Sequence, residues 1–245
     1  MNPSVYAAME YHDQSSWYYR GKRAAIRALL TKRGVRPTRV IDIGCGTGRN
    51  SQVFDPVLSG SEYIGIEPVE MPFETTGFGA SQVIRSRMED VTVEAVGGQA
   101  DLIALIDVLE HVDEDMALQV VKRLLSPGGQ LLITVPAHPV LWGKGDEDAH
   151  HLRRYTFERL QAALQRRGLE IEAWSYYFFF AFLPLLALSW FQRRRGSQKR
   201  GEGEGYFGPV PQNRIVGTYV EFEGRLGKYV RWPWGTGIVC LARFS

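Results

Sequence analysis

The sequence has 245 residues, 44% of them hydrophobic and 23% charged, enough apolar side chain to fill one α/β core and furnish an insertion. A net charge of +2 argues against the broad basic footprint of a nucleic-acid-binding protein, so no nucleic-acid partner is expected. The two cysteines, Cys45 and Cys240, fall in no CxxC motif and lie near no histidine at ligand spacing, which argues against a disulfide framework and a structural zinc site.

The N-terminus lacks the basic, apolar, small-residue order of a signal peptide, and a cytoplasmic location is expected. Residues 16–33 read as a helix rich in Arg, Lys, Ala and Leu, broken by Gly34 and Pro37. Arg39–Ile43 is a short buried-strand pattern ending at Gly44, and Thr47–Leu58 is helical. Glu62–Ile66 and Gln82–Arg85 are the second and third strands, and Asp101–Ile106 is a fourth, apolar on both faces as a central parallel strand must be. A helix over Asp113–Leu125 stops at Ser126-Pro127-Gly128-Gly129, and Gln130–Val135 is the fifth strand. Thr156 caps a helix to Arg167 with Gly168 just past its end, and Leu169–Trp174 is the sixth strand. The last strand, Gly237–Phe244, comes only after a long apolar and then Gly/Glu-rich stretch.

Strands alternating with helices predict a Rossmann-like, seven-stranded, mostly parallel sheet with helices on both faces. The expected organisation is a cap helix over 1–36, a core over 37–175 and 235–245, and a hydrophobic helical insertion over 176–234.

The strongest local signal is Asp42-Ile43-Gly44-Cys45-Gly46-Thr47-Gly48. Glycine lets the chain turn tightly and approach a ligand closely, and ligands bind such sheets at the carboxyl ends of the strands. A GxGxxG or GxGxxA dinucleotide fingerprint fails in both registers, since the last position is Arg49 or Ser51. Glu67, about twenty residues further on at the end of the second strand, is placed to accept both hydroxyls of a ribose.

The spacing D-x-G-x-G-x-G resembles the cofactor loop of class I S-adenosylmethionine-dependent methyltransferases, and the resemblance covers most of the chain outside the insertion. It implies S-adenosylmethionine as cofactor, with Asp42 beside the methionine moiety and Gly44, Cys45, Gly46 and Gly48 forming the floor. Arg87-Met88-Glu89-Asp90 resembles the family's adenine clamp, with Met88 on the ring and Glu89 or Asp90 facing the amine. Asp107-Val108-Leu109-Glu110-His111 matches the pattern D-x-L-E-H, which implies Asp107, Val108 and Leu109 on the cofactor side and Glu110 and His111 on the substrate side. Trp17–Arg23 resembles the group's cap helix, from which Arg20 is expected to reach the cofactor carboxylate.

After strand five, the run from Pro136 to Thr156 is similar to a loop of bacterial methyltransferases resembling the ubiquinone-biosynthesis O-methyltransferases, where a similar D-x-x-x-H-x-R-R-Y run precedes the next helix. That similarity implies His138, Trp142, His150, Arg153, Arg154 and Tyr155 as substrate-lining residues. His111 and His151 are the expected catalytic histidines, since a hydroxyl or protonated amine acceptor needs a base near neutrality. No carboxylate–histidine cluster has ligand spacing along the chain, so no metal ligand is assigned.

Tyr176–Phe191 is uncharged but rises only about 24 Å as a helix, short of a bilayer core of roughly 30 Å, and Pro184 interrupts it. Arg193, Arg194, Arg195, Lys199 and Arg200 follow it, so residues 176–200 are expected to lie peripherally on an anionic inner membrane face. Asn213–Val230 reads as a helix with Ile215, Tyr219, Phe222, Leu226 and Tyr229 on its apolar face, completing a lid over the acceptor site. A small-molecule or lipid-like acceptor, O-methylated, fits these features. A soluble enzyme acting on N or C, and a non-catalytic cofactor-binding protein of the same fold, remain as alternatives.

Overall fold

A computed structural model describes residues 16–54, 61–70, 80–194 and 214–245. The first helix, α1 (Trp17–Arg33), begins where the Ser16 side chain accepts the Tyr18 N–H and ends at Gly34 in the left-handed region. These are the side-chain N-cap and glycine stop that satisfy orphan backbone groups at helix ends.

Seven strands follow in one sheet: β1 (Arg39–Ile43), β2 (Glu62–Ile66), β3 (Ala80–Ile84), β4 (Ala100–Ile106), β5 (Leu125–Pro136), β6 (Leu169–Tyr177) and β7 (Gly237–Phe244). Their order is β3-β2-β1-β4-β5-β7-β6. Strands β1 to β5 pair in parallel, and β7 runs antiparallel to both β5 and β6. Alternation along the strands divides the core. Ile41, Ile43, Ile64, Ile103 and Ile133 pack on one face with α2 (Glu114–Leu124) and α4 (Phe157–Gln165). Val40, Tyr63, Leu102, Leu132 and Val239 pack on the other with Ile26, Leu29 and Leu30 of α1.

Some boundaries move. The predicted helix from Thr47 is a 3-10 turn over Arg49–Val53, and residues 55–60 lie outside the described residues. Strand β5 starts five residues early because Leu125 pairs with Ala100 before the register shifts, carrying the Ser126–Gly129 turn residues into the strand. Strand β6 runs three residues long, since Ser175, Tyr176 and Tyr177 continue the ladder with Val239, Ile238 and Gly237. The apolar aromatic run therefore begins inside the sheet.

A short helix, α3 (Lys144–Asp148), lies between β5 and α4. Between β6 and β7 lie α5 (Phe179–Arg194) and α6 (Arg214–Leu226). The predicted basic run beyond Arg194 and the Gly/Glu stretch lie outside the described residues. Phe179 N–H donates to the buried Glu223 carboxylate at 2.8 Å, so an acid of α6 caps the positive end of α5.

The orientation of α6 corrects the expected lid. Its aromatic stripe faces outward, with Ile215 79% and Phe222 59% exposed. The packed stripe is Gly217, Val220 and Gly224, because α1 presses close: a Cβ on Gly224 would lie 2.6 Å from Ala24 Cβ and 2.9 Å from Ala25 N. The hydrophobic period was real, but close approach of two helix backbones needs small residues, and these took the inner face.

Candidate functional site

The carboxyl ends of β1, β2 and β4 open onto a cleft of about 340 Å³, in the size range of small-molecule sites. The loop leaving β1 forms its floor. Gly44 N–H donates to Ile66 O at 2.8 Å, and Gly44, Gly46 and Gly48 all hold positive φ. At Gly44 two constraints coincide, since φ is +75° and a Cβ would sit 2.6 Å from Val108 Cγ2. Only glycine meets both.

Glu67 closes β2, almost fully buried. Its carboxylate accepts Gly46 N–H and Val69 N–H, each at 3.1 Å. One acid thus fixes the glycine loop while lone pairs remain for a ligand's hydroxyls, since an ionised carboxylate offers about four acceptor positions. Met88 and Glu89 lie on the wall beside Pro68, Ser86 and Arg87.

The opposite wall is the turn after β4. Asp107 adopts φ +55°, a conformation that costs a non-glycine residue energy and clusters at functional turns. Its carboxylate pairs with Lys22 Nζ and accepts Thr134 Oγ1–H at 2.6 Å. Burial alone would raise its pKa, but Lys22 and Thr134 hold it below the usual carboxylate range. Val108, His111 and Val112 continue this wall. Burial, helped by the neighbouring His151, pushes the His111 imidazole down to about 4, so it is neutral at physiological pH.

Behind His111 lies a second constellation. The His111 and His151 rings meet edge-on at 4.8 Å between centroids. His151 Nδ1 contacts Asp146 Oδ1 at 2.8 Å, and Arg154 Nε donates to the same oxygen at 2.7 Å. Asp146 also accepts Gly143 N–H at 2.9 Å. Although burial opposes it, these contacts keep the Asp146 carboxyl below its usual range. Glu110, 1% exposed, lies beside the pair, and burial pushes its pKa well up.

Most sequence-assigned residues reach this region. Gly44, Cys45, Gly46, Glu67, Met88, Glu89, Asp107, Val108 and His111 line the cleft. Asp42 does not: it is wholly buried behind the loop, where it accepts Tyr63 O–H at 2.5 Å. Gly48 turns the chain behind the lining, and Leu109 is buried in the core.

Arg20 points away from the cleft and pairs with Glu221 at 2.5 Å. Lys22, two residues on, is the cap-helix cation at the cleft. Its position was legible, since Lys22, Ile26 and Leu29 share the sheet-facing stripe at helical spacing. Tyr155 is core, donating to Glu114 at 2.9 Å, and Arg153 braces Val112 O at 3.0 Å and Glu114. Arg154 is likewise a buried brace on Asp146. His150 is exposed, while Trp142 is half-buried. His138 stacks on Tyr176 and leans on Phe182 of α5, tying the loop after β5 to that helix. Asp146 and Tyr19 are not among the residues assigned from sequence: Asp146 stands in an acidic run with Glu147 and Asp148, and Tyr19 in the aromatic run Trp17-Tyr18-Tyr19, so neither stands out along the chain.

The residues suit an adenosyl sulfonium. The glycine loop turns tightly at the cleft floor, an acid closes the second strand, and an apolar side chain, Met88, lies on the cleft wall. Residues 15–173 match the family model described as a methyltransferase domain. No curated protein matches the sequence. Among solved structures, a Haloferax volcanii protein in complex with the Trm112 methyltransferase activator aligns over 98% of this chain and 93% of its own, with 13% identity and a TM-score of 0.58. The plantazolicin methyltransferase BamL, bound to a triazolic desmethylPZN analog and SAH, aligns over 98% and 90%, with 15% identity and a TM-score of 0.56. A TehB-like SAM-dependent methyltransferase from Corynebacterium glutamicum aligns over the full length of both chains, with 14% identity and a TM-score of 0.53. These likenesses concern the fold, whereas the domain match spans more than half of the sequence. The chain therefore belongs to the methyltransferase-domain family, the class I enzymes that use S-adenosylmethionine.

Proposed function

We propose that the protein methylates an oxygen of a small, lipid-like acceptor, working from a membrane surface. The observation that carries this reading is the placement of His111, backed by His151 and Asp146, where the cleft wall leaves β4. Bound S-adenosylmethionine supplies an already electrophilic methyl group. What the chain must add is position and a prepared nucleophile.

The glycine floor, Glu67 and Met88 hold the cofactor end, and Asp107, held by Lys22 and Thr134, fixes the turn that carries Val108 and His111. Holding two reactants in line supplies roughly 7–11 kcal/mol of barrier reduction. A hydroxyl also needs its proton withdrawn, which an amine free base does not. His111 and His151 are the residues assigned to that task. The chain has Asp107-Val108-Leu109-Glu110 after β4, rather than the Asp/Asn-Pro-Pro-aromatic order typical of enzymes that orient a nucleic-acid amine.

The lipid-like acceptor and the membrane rest on α5 and α6. Phe180, Leu183, Leu185, Trp190, Ile215 and Phe222 are exposed on them, and Arg193 to Arg195, Lys199 and Arg200 follow in sequence. Apolar side chains beside a cationic run suit the interface of an anionic bilayer. Among the described residues, no helix is long and apolar enough to cross one.

Incubation with S-adenosylmethionine radiolabelled at the methyl, followed by separate lipid and aqueous extraction of the source cells' small molecules, tests the reading. Label is expected in a lipid-soluble product that withstands mild acid as an ether does. Label confined to aqueous amines would overturn it.

A further inference from the structure

We propose that Glu110, His111 and His151 bind one first-row divalent cation at the acceptor end of the cleft. One ligand atom from each lies within 4.8 Å of the other two, although Glu110 and His151 are 41 positions apart in sequence.

Charge balance singles out Glu110. Asp107 is answered by Lys22 and Thr134, and Asp146 by Arg154, His151 and Gly143 N–H. Glu110 is 1% exposed, and its Oε2 has no hydrogen-bond partner among the described residues. A buried carboxylate oxygen without a partner is costly. A bound cation would meet that oxygen, and two imidazoles stand beside it.

The histidines are arranged as ligands. Asp146 occupies Nδ1 of His151, so an ion would take Nε2. A carboxylate behind a coordinating histidine fixes its tautomer and raises its basicity. His111 borders the cleft, so the ion would lie where the acceptor approaches. Two imidazoles and a carboxylate suit Zn²⁺, Mn²⁺ or Fe²⁺ better than Ca²⁺, which prefers oxygen ligands throughout. Three protein ligands leave a position open, as catalytic sites do.

The use of the ion rests on the methyl-transfer reading above and replaces its base: once His111 and His151 hold the ion they no longer take the proton, and the ion acidifies the acceptor in their place. An acceptor hydroxyl that coordinates the ion becomes more acidic. Its proton leaves to solvent, and the oxygen keeps the electron pair that forms the bond to the methyl carbon as the S–CH3 bond breaks, its pair returning to sulfur and S-adenosylhomocysteine leaving.

The test uses the full-length protein, stripped with chelator and titrated with Co²⁺ and Mn²⁺. One equivalent of Co²⁺ per chain, with the visible spectrum of an imidazole-bound ion, is expected. Glu110→Gln and His151→Ala should each weaken binding tenfold or more, and Asp146→Asn should weaken it 10- to 100-fold. Should a variant fail to fold, histidine NMR signals of the unaltered protein serve instead. Substoichiometric Mn²⁺ should broaden His111 and His151 before His138. No binding, binding indifferent to the Glu110 and His151 substitutions, or broadening centred on another histidine would overturn the inference. Calorimetry with S-adenosylmethionine on the same stripped protein separates the two readings: cofactor binding without a metal site sinks this inference alone.

Discussion

Lys22 of α1 and Asp107 at the end of β4 form an ion pair that ties the cap helix to the cleft wall. The lysine side chain is only 3% exposed, and the aspartate holds a left-handed backbone conformation. The pair therefore links packing of the first helix to the geometry of the turn that carries His111.

Replacing Lys22 with Met should be severe, because it leaves the half-buried Asp107 carboxylate with the Thr134 hydroxyl but without its countercharge. Breaking one side of such a pair costs about 3–5 kcal/mol. The double variant Lys22→Met with Asp107→Asn should regain most of that loss. Urea unfolding of the two single variants and the double variant gives the comparison, and equal destabilisation by single and double changes would show the pair to be incidental.

Gly44→Ala should damage the floor of the cleft more than the fold. The new methyl meets Val108 Cγ2, and the left-handed φ remains unfavourable for alanine. A strained φ of this kind costs of order 1–3 kcal/mol. Trimming Val108 to Ala as well should relieve the clash and leave the backbone strain. Calorimetry should show cofactor affinity reduced at least tenfold in Gly44→Ala and only partly restored in the double variant.

The cofactor side was legible in sequence because it is local. The alternate glycines, Glu67 and the turn after β4 each sit at a strand end, so strand order alone brings them together. The acceptor side was less so. Asp146, Glu110 and His151 converge only because Leu152 N–H binds Glu110 O at 2.8 Å and folds the loop back onto β4. The inner face of α6 was misjudged for a different reason: Gly217 and Gly224 look like helix breakers in one dimension, but serve as contact points in three.

Asp42 gives the protein a pH-dependent stability. Burial pushes its carboxyl up from 3.8 to about 7, with Glu67 reinforcing the rise and Tyr63 and Lys22 opposing it. The folded state keeps this proton where the unfolded chain has lost it, so stability declines as pH rises from about 4 to 7. Asp42→Asn cannot ionise and should remove this slope, gaining on the parent by an amount on the order of a few kcal/mol at pH 8 relative to pH 4. Thermal unfolding of both proteins without cofactor, at pH 5, 6, 7 and 8, reads the difference. Parallel curves across that range would mean that Asp42 is already ionised in the fold.

The seam between α1 and α6 should tolerate little added volume. A Cβ on Gly224 meets Ala25 N at 2.9 Å, and backbone cannot rotate away as a long side chain does. Gly224→Val should cost about 1–3 kcal/mol by overpacking, offset slightly by better helix propensity. A melting temperature unchanged from the parent would show the two helices free to separate.

The outward stripe of α6 and the exposed residues of α5 should respond in the opposite way, through a surface rather than through stability. Leu183 is 61% exposed and Phe222 59%, so Leu183→Ser and Phe222→Ser remove little buried area. Such surface changes usually stay within about 0.5 kcal/mol. Each should nonetheless reduce flotation with vesicles containing phosphatidylglycerol, because interfacial binding scales with inserted apolar area plus attraction to anionic headgroups. The two contributions separate by salt. Raising ionic strength should weaken binding of the parent through its cationic run, while the serine variants lose affinity at every salt concentration. Flotation of the parent on neither neutral nor anionic vesicles would remove the membrane from the proposed function and leave the outward aromatics to another partner, whereas equal flotation on both would remove only the part given to the cationic run.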